Sequence, residues 1–485
     1  MESIFSNFAW GIFAIMLPLA GGIVCFFWPA MAKTMGLFTV SLVVLSVTGL
    51  VWQVLENGVY RHAVGGWGAP LGIELFADGI SVLMLMMTAL VGLGVSYYAT
   101  SYFKPQYAVW FWPTWLFLLA ALNALFLSAD IFNLYVTLEL IGLAAVALTA
   151  LTGHINALNS AMRYLLAMLV GSLAYLLGVA LLYHDLGSVD ITTIAEKIEP
   201  NATVWTALGL MSAGLALKTA LFPLYFWLPS AHSSATAPVS ALLSALVLKA
   251  SFYILLRLWL EIFGSFGEDA ATLLGFLGAA AILWGSTQAL CQTRVKLLVA
   301  YSTVAQIGYL FLTFPLALSS AGIWYIAIYL AFSHALAKAA MFLAAGNLLQ
   351  FGGHDRIRHL DRAVQRLPIT LCAFALAGVS IMGLPPSSGF VGKWLLLEAS
   401  IAQQRWDLAV IIIIGGLLAA GYVFKVLGYA FTKAEVPHHA RTVPARMEWT
   451  ALLLAIGAIL LGFIAPEILS LARVNVSLSV NEMTL

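Results

Sequence analysis

Apolar residues run for about twenty positions at a time along this chain, with short polar stretches between the runs. A helix needs about 20 predominantly apolar residues to cross a bilayer core. Fourteen runs have that length: 8–29, 35–54, 80–101, 108–128, 131–152, 160–183, 203–228, 238–261, 270–292, 296–314, 320–349, 368–400, 405–432 and 448–472. They predict an all-α polytopic membrane protein with about 14 transmembrane helices. The longest loops, near 184–202 and 433–447, are too short to hold a core of their own. The amino end, MESIFSNFAWGIFAIMLPLAGG, has Glu2 where a secretion signal would carry Lys or Arg, and no clear small-residue cleavage site. It reads as a retained first helix.

Two of the runs are interrupted. Pro223 removes a backbone donor from segment seven, and GLPPSSGFVGK (383–393) breaks segment twelve at Pro385 and Pro386. Irregular backbone at membrane depth is tolerated only where protein or a water-filled cavity satisfies it. Interrupted segments at corresponding places in two halves point to a transport path. Segments seven and twelve are five apart, as are segment eight with Lys249 and segment thirteen with Lys425. This offset predicts two five-helix repeats, helices 4–8 and 9–13, the odd number making the second inverted. The chain then divides into 1–107 (helices 1–3), 108–261 (first repeat), 270–432 (second repeat) and 433–485 (a loop and helix 14). The copies differ in detail, since Lys218 precedes its proline and Lys393 follows its pair.

Composition removes any soluble alternative. Charged residues are 9% of 485, against about 25% in an ordinary soluble domain, and 62% are hydrophobic at a mean hydropathy of +0.99. The net charge of +1 says little about partners beyond the lipid bilayer, and no nucleic acid is expected. Cys25, Cys291 and Cys372 form no C-x-x-C, and the chain has neither a phosphate loop nor H-E-x-x-H. No cofactor, metal or catalytic chemistry is therefore expected within it. Cytoplasmic loops carry the excess of Lys and Arg. Twelve such residues, Lys296 among them, fall in odd-to-even connections, and five, Arg257 among them, fall on the other side. The imbalance predicts both termini outside the cytoplasm.

Five lysines remain within apolar runs: Lys218, Lys249, Lys338, Lys393 and Lys425. Glu139 is the one carboxylate clearly inside a predicted helix. An ionised side chain near the bilayer centre costs roughly 2.5–3.5 kcal/mol on insertion scales, so six of them need a common reason. Pairing with carbonyls, or stretching to the interface, would suit Lys425. One glutamate cannot neutralise five lysines, however. Low dielectric disfavours a charged amine and a nearby carboxylate restores it, so a lysine whose partner approaches and retreats exchanges a proton. Glu139 with Lys218 is the expected pair. His334 and Lys338, four apart, share a helix face, where an imidazole can relay a proton. Ser302 and Gln306, also four apart, could hold water beside them or serve as interhelical glue.

With these residues in view, the chain resembles the antiporter-like membrane subunits shared by respiratory complex I, membrane-bound hydrogenases and multisubunit Mrp cation/proton antiporters. Seven ordered blocks between about 70 and 430 carry the likeness: IELFADGISVLMLMM, FNLYVTLEL, LKTALFPLYFWLP, APVSALLSALVLK, AYSTVAQIGY, HALAKAAMFLAAGNL and GLPPSSGFVGK. The resemblance implies a hydrated row of ionisable residues across the membrane plane, here Glu139, Lys218, Lys249, His334, Lys338 and Lys393. It also implies partners, namely a homologous antiporter-like subunit and small membrane subunits of one complex in a prokaryotic inner membrane, moving protons and monovalent cations such as sodium. Lys393 and FPLYFWLP suit the D-type subunits of Mrp antiporters, and the end of the sequence soon after helix fourteen differs from the complex I relative with a long lateral helix. His232, in PSAHSSATAPVSA, also appears in complex I and hydrogenase relatives. A proton-pumping subunit of a redox complex therefore stands as the alternative.

Overall fold

The computed structural model describes residues 8–68, 72–433 and 441–474. The first residues of the expected retained helix, the middle of the 433–447 loop and residues 475–485 lie outside the described residues. The fourteen runs become α1 (Trp10–Phe27), α2 (Ala32–Asn57), α3 (Gly79–Tyr102), α4 (Pro105–Phe126), α5 (Ile131–Thr149), α6 (Ile155–Leu186), α7 in two pieces (Ala202–Thr219 and Leu228–Ser234) and α8 (Ala237–Phe263). They continue as α9 (Glu268–Cys291), α10 (Val295–Ala317), α11 (Ile323–Gly352), α12 in two pieces (Pro368–Met382 and Ser388–Ala402), α13 (Trp406–Phe431) and α14 (Ala445–Phe463). Twelve of these are continuous helices long and apolar enough to cross a membrane. The other two, α7 and α12, are interrupted where the prolines stand.

Local chemistry sets the helix ends. The side chains of Asp78, Asp130 and Asn201 accept hydrogen bonds from the N–H groups of Ser81 (2.9 Å), Asn133 (2.6 Å) and Val204 (2.9 Å), satisfying donors that a first turn leaves free. Outward faces stay apolar for lipid: Leu158, Met162, Leu166, Val170 and Leu173 line one side of α6, all exposed. By contrast α8, α10 and α11 are almost wholly enclosed by the other helices. They hold the polar interior.

Three features depart from the sequence reading. Residues 60–77 contain a small antiparallel hairpin, β1 (Tyr60–Ala63) with β2 (Glu74–Ala77), too short to show a pattern, with Arg61 and Glu74 paired at 3.4 Å. Lys296 and Arg257, counted with the loops although each stands at the edge of an apolar run, are buried within α10 and α8, where neighbouring helices cover those ends. Removing one residue from each side leaves eleven basic residues against four, the same direction of imbalance. Glu139 is also joined by a second carboxylate inside a span, Glu261 in α8, and by the buried Asp78 that starts α3.

The breaks are satisfied by protein. At the end of the first piece of α7, Ala220 adopts a left-handed backbone (φ 59°), and the Trp227 indole N–H, at 3.0 Å, joins the Ala220 N–H in donating to the Leu217 carbonyl. In α12 the turn comes at Gly383 (φ 82°), where a side chain would also meet the Lys393 stem at 2.8 Å. Both the backbone angle and the close approach require glycine.

Candidate functional site

Lys218 stands in the last turn of the first piece of α7, beside the break. Its ammonium lies 3.5 Å from the Glu139 carboxylate on α5, with the lysine side chain 1% exposed and the glutamate 22%. Gly171 on α6 makes room: a methyl there would meet the Gly214 carbonyl at 2.8 Å and the Lys218 stem at 3.0 Å. Among the described residues the Lys218 nitrogen has no hydrogen-bond partner. The ion pair is therefore loose.

The remaining amines gather deeper, between the two broken helices. Lys249 on α8 turns back to the Ser244 carbonyl, inside a π-helical turn at Leu243–Val247. Lys338 on α11 donates to the Val299 carbonyl at 3.1 Å and to the Ser302 hydroxyl of α10. Lys393, on the second piece of α12, reaches across the break to the Ile381 carbonyl at 2.7 Å and sits 4.2 Å from the centre of the Tyr309 ring. A cation over an aromatic face and against the carbonyl end of a helix is in a favourable field.

Two histidines lie among these amines. His334 is within electrostatic reach of Lys249, Lys338 and Lys393, and His232 of Lys249, Lys296 and Lys338. Both rings are buried, with neither nitrogen hydrogen-bonded among the described residues, and His232 stacks on Phe342 with centroids 4.7 Å apart. His334, Gln306, Ser333, Ser380 and Lys393 line a cavity of about 10 Å³, roughly the room one water needs.

The structure thus brings Glu139 to Lys218, and Lys249, His334, Lys338, Lys393, His232, Ser302 and Gln306 into one polar core. Lys425 stands apart. It donates to the Leu290 and Gln292 carbonyls, at 2.6 and 2.8 Å, and so closes the end of α9. Lys296 was missed as an interior group. It donates to the Ala235 carbonyl at the end of α7 and is flanked by Asp355, which Arg294 holds at 2.7 Å. Its position as the second residue of α10 disguised it as a loop residue. The buried pair of Arg257 with Asp78 was also missed, because its partners lie 179 positions apart.

Among the described residues, twelve continuous spans and two interrupted helices enclosing a cluster of amines and imidazoles define a polytopic membrane protein with an ionisable interior. The chain belongs to the family described as NADH:quinone oxidoreductase/Mrp antiporter, whose transmembrane region matches residues 128–419. It is 35% identical over 443 residues to the N subunit of the NADH-quinone oxidoreductase of Desulforudis audaxviator, covering 87% of this chain and 88% of that one. To the D subunit of the Na(+)/H(+) antiporter of Bacillus subtilis it is 29% identical over 431 residues, 87% of each chain. Its fold matches a chain in the structure of the Mrp complex from Dietzia sp. DQ12-45-1b with a TM-score of 0.89 at 23% identity, over 97% of this chain and 96% of that one.

Proposed function

We propose that this chain is the proton-translocating membrane subunit of a multisubunit monovalent cation/proton antiporter. The loose Glu139–Lys218 pair carries the reading. An ammonium whose nearby counter-charge sits 3.5 Å away changes its proton affinity when that carboxylate moves, and the amines beyond it respond through their shared low-dielectric surroundings. The row runs from Glu139 and Lys218 through Lys249, Lys338 and His334 to Lys393, with His232, Ser302 and Gln306 lending hydrogen-bonding groups and the breaks at Pro223 and at Pro385 and Pro386 giving water access. Helices 4–8 and 9–13 act as two inverted halves. The membrane potential supplies about 2.3 kcal/mol per charge per 100 mV to drive the movement. Likeness to the Bacillus subtilis antiporter subunit and to the Mrp complex fold supports the assignment.

On this reading the subunit sits in a prokaryotic inner membrane with both termini outside the cytoplasm. A homologous subunit and small membrane proteins accompany it. The 35% identity to a NADH-quinone oxidoreductase subunit favours a second reading, a proton-pumping subunit of a redox complex. One experiment separates them. Inverted vesicles carrying the whole operon, energised by a substrate-driven proton gradient, are given a sodium pulse while an acridine dye reports lumenal pH. Sodium-dependent dequenching supports the antiporter; no response to any monovalent cation, with proton uptake only during electron transfer, supports the redox assignment. Lys425→Ala should retain most of the flux and lose about 1 kcal/mol of stability, the worth of a hydrogen-bonding group at a helix end, measurable as a lower thermal transition.

A further inference from the structure

A buried proton row needs a connection to water on each side of the membrane. One face of α8 carries Lys249, Tyr253, Arg257 and Glu261, spaced by four, so neighbours stand one turn and about 6 Å apart. Only Lys249 belongs to the row. The rest form a connected network: the Arg257 Nε–H donates to the Tyr253 hydroxyl at 3.1 Å, one Arg257 Nη approaches Glu261 at 3.3 Å, and the Tyr253 hydroxyl lies 3.0 Å from Ser81. Arg257 is also doubly bonded to Asp78. The last turn, Trp259–Phe263, is π-helical, a distortion frequent at functional sites.

This ladder ends in a cleft lined by Arg257 and Glu261 together with Arg61, Phe76, Ser128 and Thr192. Those four come from the α2–α3, α4–α5 and α6–α7 connections, all even-to-odd. They therefore open on one membrane face, the side poor in Lys and Arg. The Glu261 side chain is 12% exposed there, whereas Asp78 is 1% exposed. Glu261 is the outermost acceptor.

We propose that this face of α8 is the port joining the buried row to the non-cytoplasmic solution, with Glu261 as its terminal proton carrier and the Arg257–Asp78 pair as its fixed electrostatic barrier. The inference rests on the proton-translocating reading. The Lys249 amine, which rests on the Ser244 carbonyl, turns toward Tyr253 in transport. The Tyr253 hydroxyl, which donates to the Phe126 carbonyl at 3.1 Å, takes that proton while giving its own to water admitted from the cleft, and that water delivers a proton to the Glu261 carboxylate. Protonation removes the charge that Glu261 offers Arg257, Arg257 stays with Asp78, and the proton passes from Glu261 to water in the cleft. No net charge is left behind in the helix. Arg257 is a positioning residue here, its fixed charge preventing unassisted leakage.

The test uses the full complex in vesicles. Glu261→Gln should lower cation-driven proton flux at least about tenfold, a barrier increase of about 1.4 kcal/mol, with partial recovery in Glu261→Asp. A Thr192→Cys variant, in a background without Cys291 and Cys372, is then treated from the non-cytoplasmic face with a membrane-impermeant bulky thiol reagent, and its flux is compared with that of the same variant untreated. Block by the reagent supports the port even should Glu261→Gln fail to assemble. Wild-type flux in Glu261→Gln, or complete labelling with no loss of flux, overturns it. Parallel vesicles with Lys218→Ala separate the two failures: if that variant is inactive while Glu261→Gln is fully active, the port alone is wrong; if both are fully active, the translocation reading falls as well.

Discussion

Replacing Glu139 by alanine is expected to abolish cation-driven proton movement while the complex still assembles. Among the described residues the carboxylate is the only acidic group within 4 Å of the Lys218 ammonium, and that ammonium has no hydrogen bond to any of them. Without it the amine keeps its burial but loses the partner whose movement would switch it. Glu139→Gln should be equally inactive, because the amide keeps the shape and removes the charge. Lys218→Ala should match both. Losing one member of a buried pair costs roughly 3–5 kcal/mol where water is fully excluded; Glu139 is 22% exposed, so the penalty here is smaller and the fold survives. If the two residues act as a unit, the double variant is no worse than either single one. Dye-quench flux in vesicles, normalised to complex recovered by size exclusion, checks all four variants.

The second large effect is expected at Lys338. Its nitrogen is fully buried, bonded to Val299 and Ser302 of α10, and within electrostatic reach of Lys249, His334 and Lys393. It links the halves of the row. Lys338→Ala should lower flux at least about tenfold, equivalent to about 1.4 kcal/mol on the barrier. Lys338→Arg separates two explanations of that loss. A guanidinium keeps the positive charge but is never deprotonated in a protein. If the amine must release its proton, arginine fails as alanine does; if it serves only as a fixed charge, arginine restores the flux.

Much of this arrangement was legible in the amino-acid order. Burial of a charge is costly enough that Lys218, Lys249, Lys338 and Lys393 stand out against apolar neighbours, and prolines mark both breaks without reference to any contact. The Glu139–Lys218 approach could be anticipated because one interior carboxylate faced few alternatives. What stayed hidden depends on distance along the chain. Asp78 and Arg257 meet across 179 positions, and neither looks interior by itself, one being a helix cap and the other lying near a helix end. Lys296 was hidden by a boundary, since α10 begins at Val295 and places its second residue under the end of α7. The period of four from Lys249 to Glu261 was present in KASFYILLRLWLE all along. It acquires meaning only when the cleft shows where the helix face leads. The hairpin at 60–77 had no signal, because four-residue strands are too short for alternation to register.

The account rests on buried amines that change protonation as ions move. Nitrogen NMR of the whole complex with isotope-labelled lysine side chains, in membranes with and without an imposed sodium gradient, measures this directly, since ammonium and neutral amine nitrogens resonate apart. Signals assigned to Lys218 and Lys338 by their loss in the Arg variants should shift between the two forms when the gradient is applied. Resonances that stay in one form under both conditions, in a complex that still transports, would contradict the account.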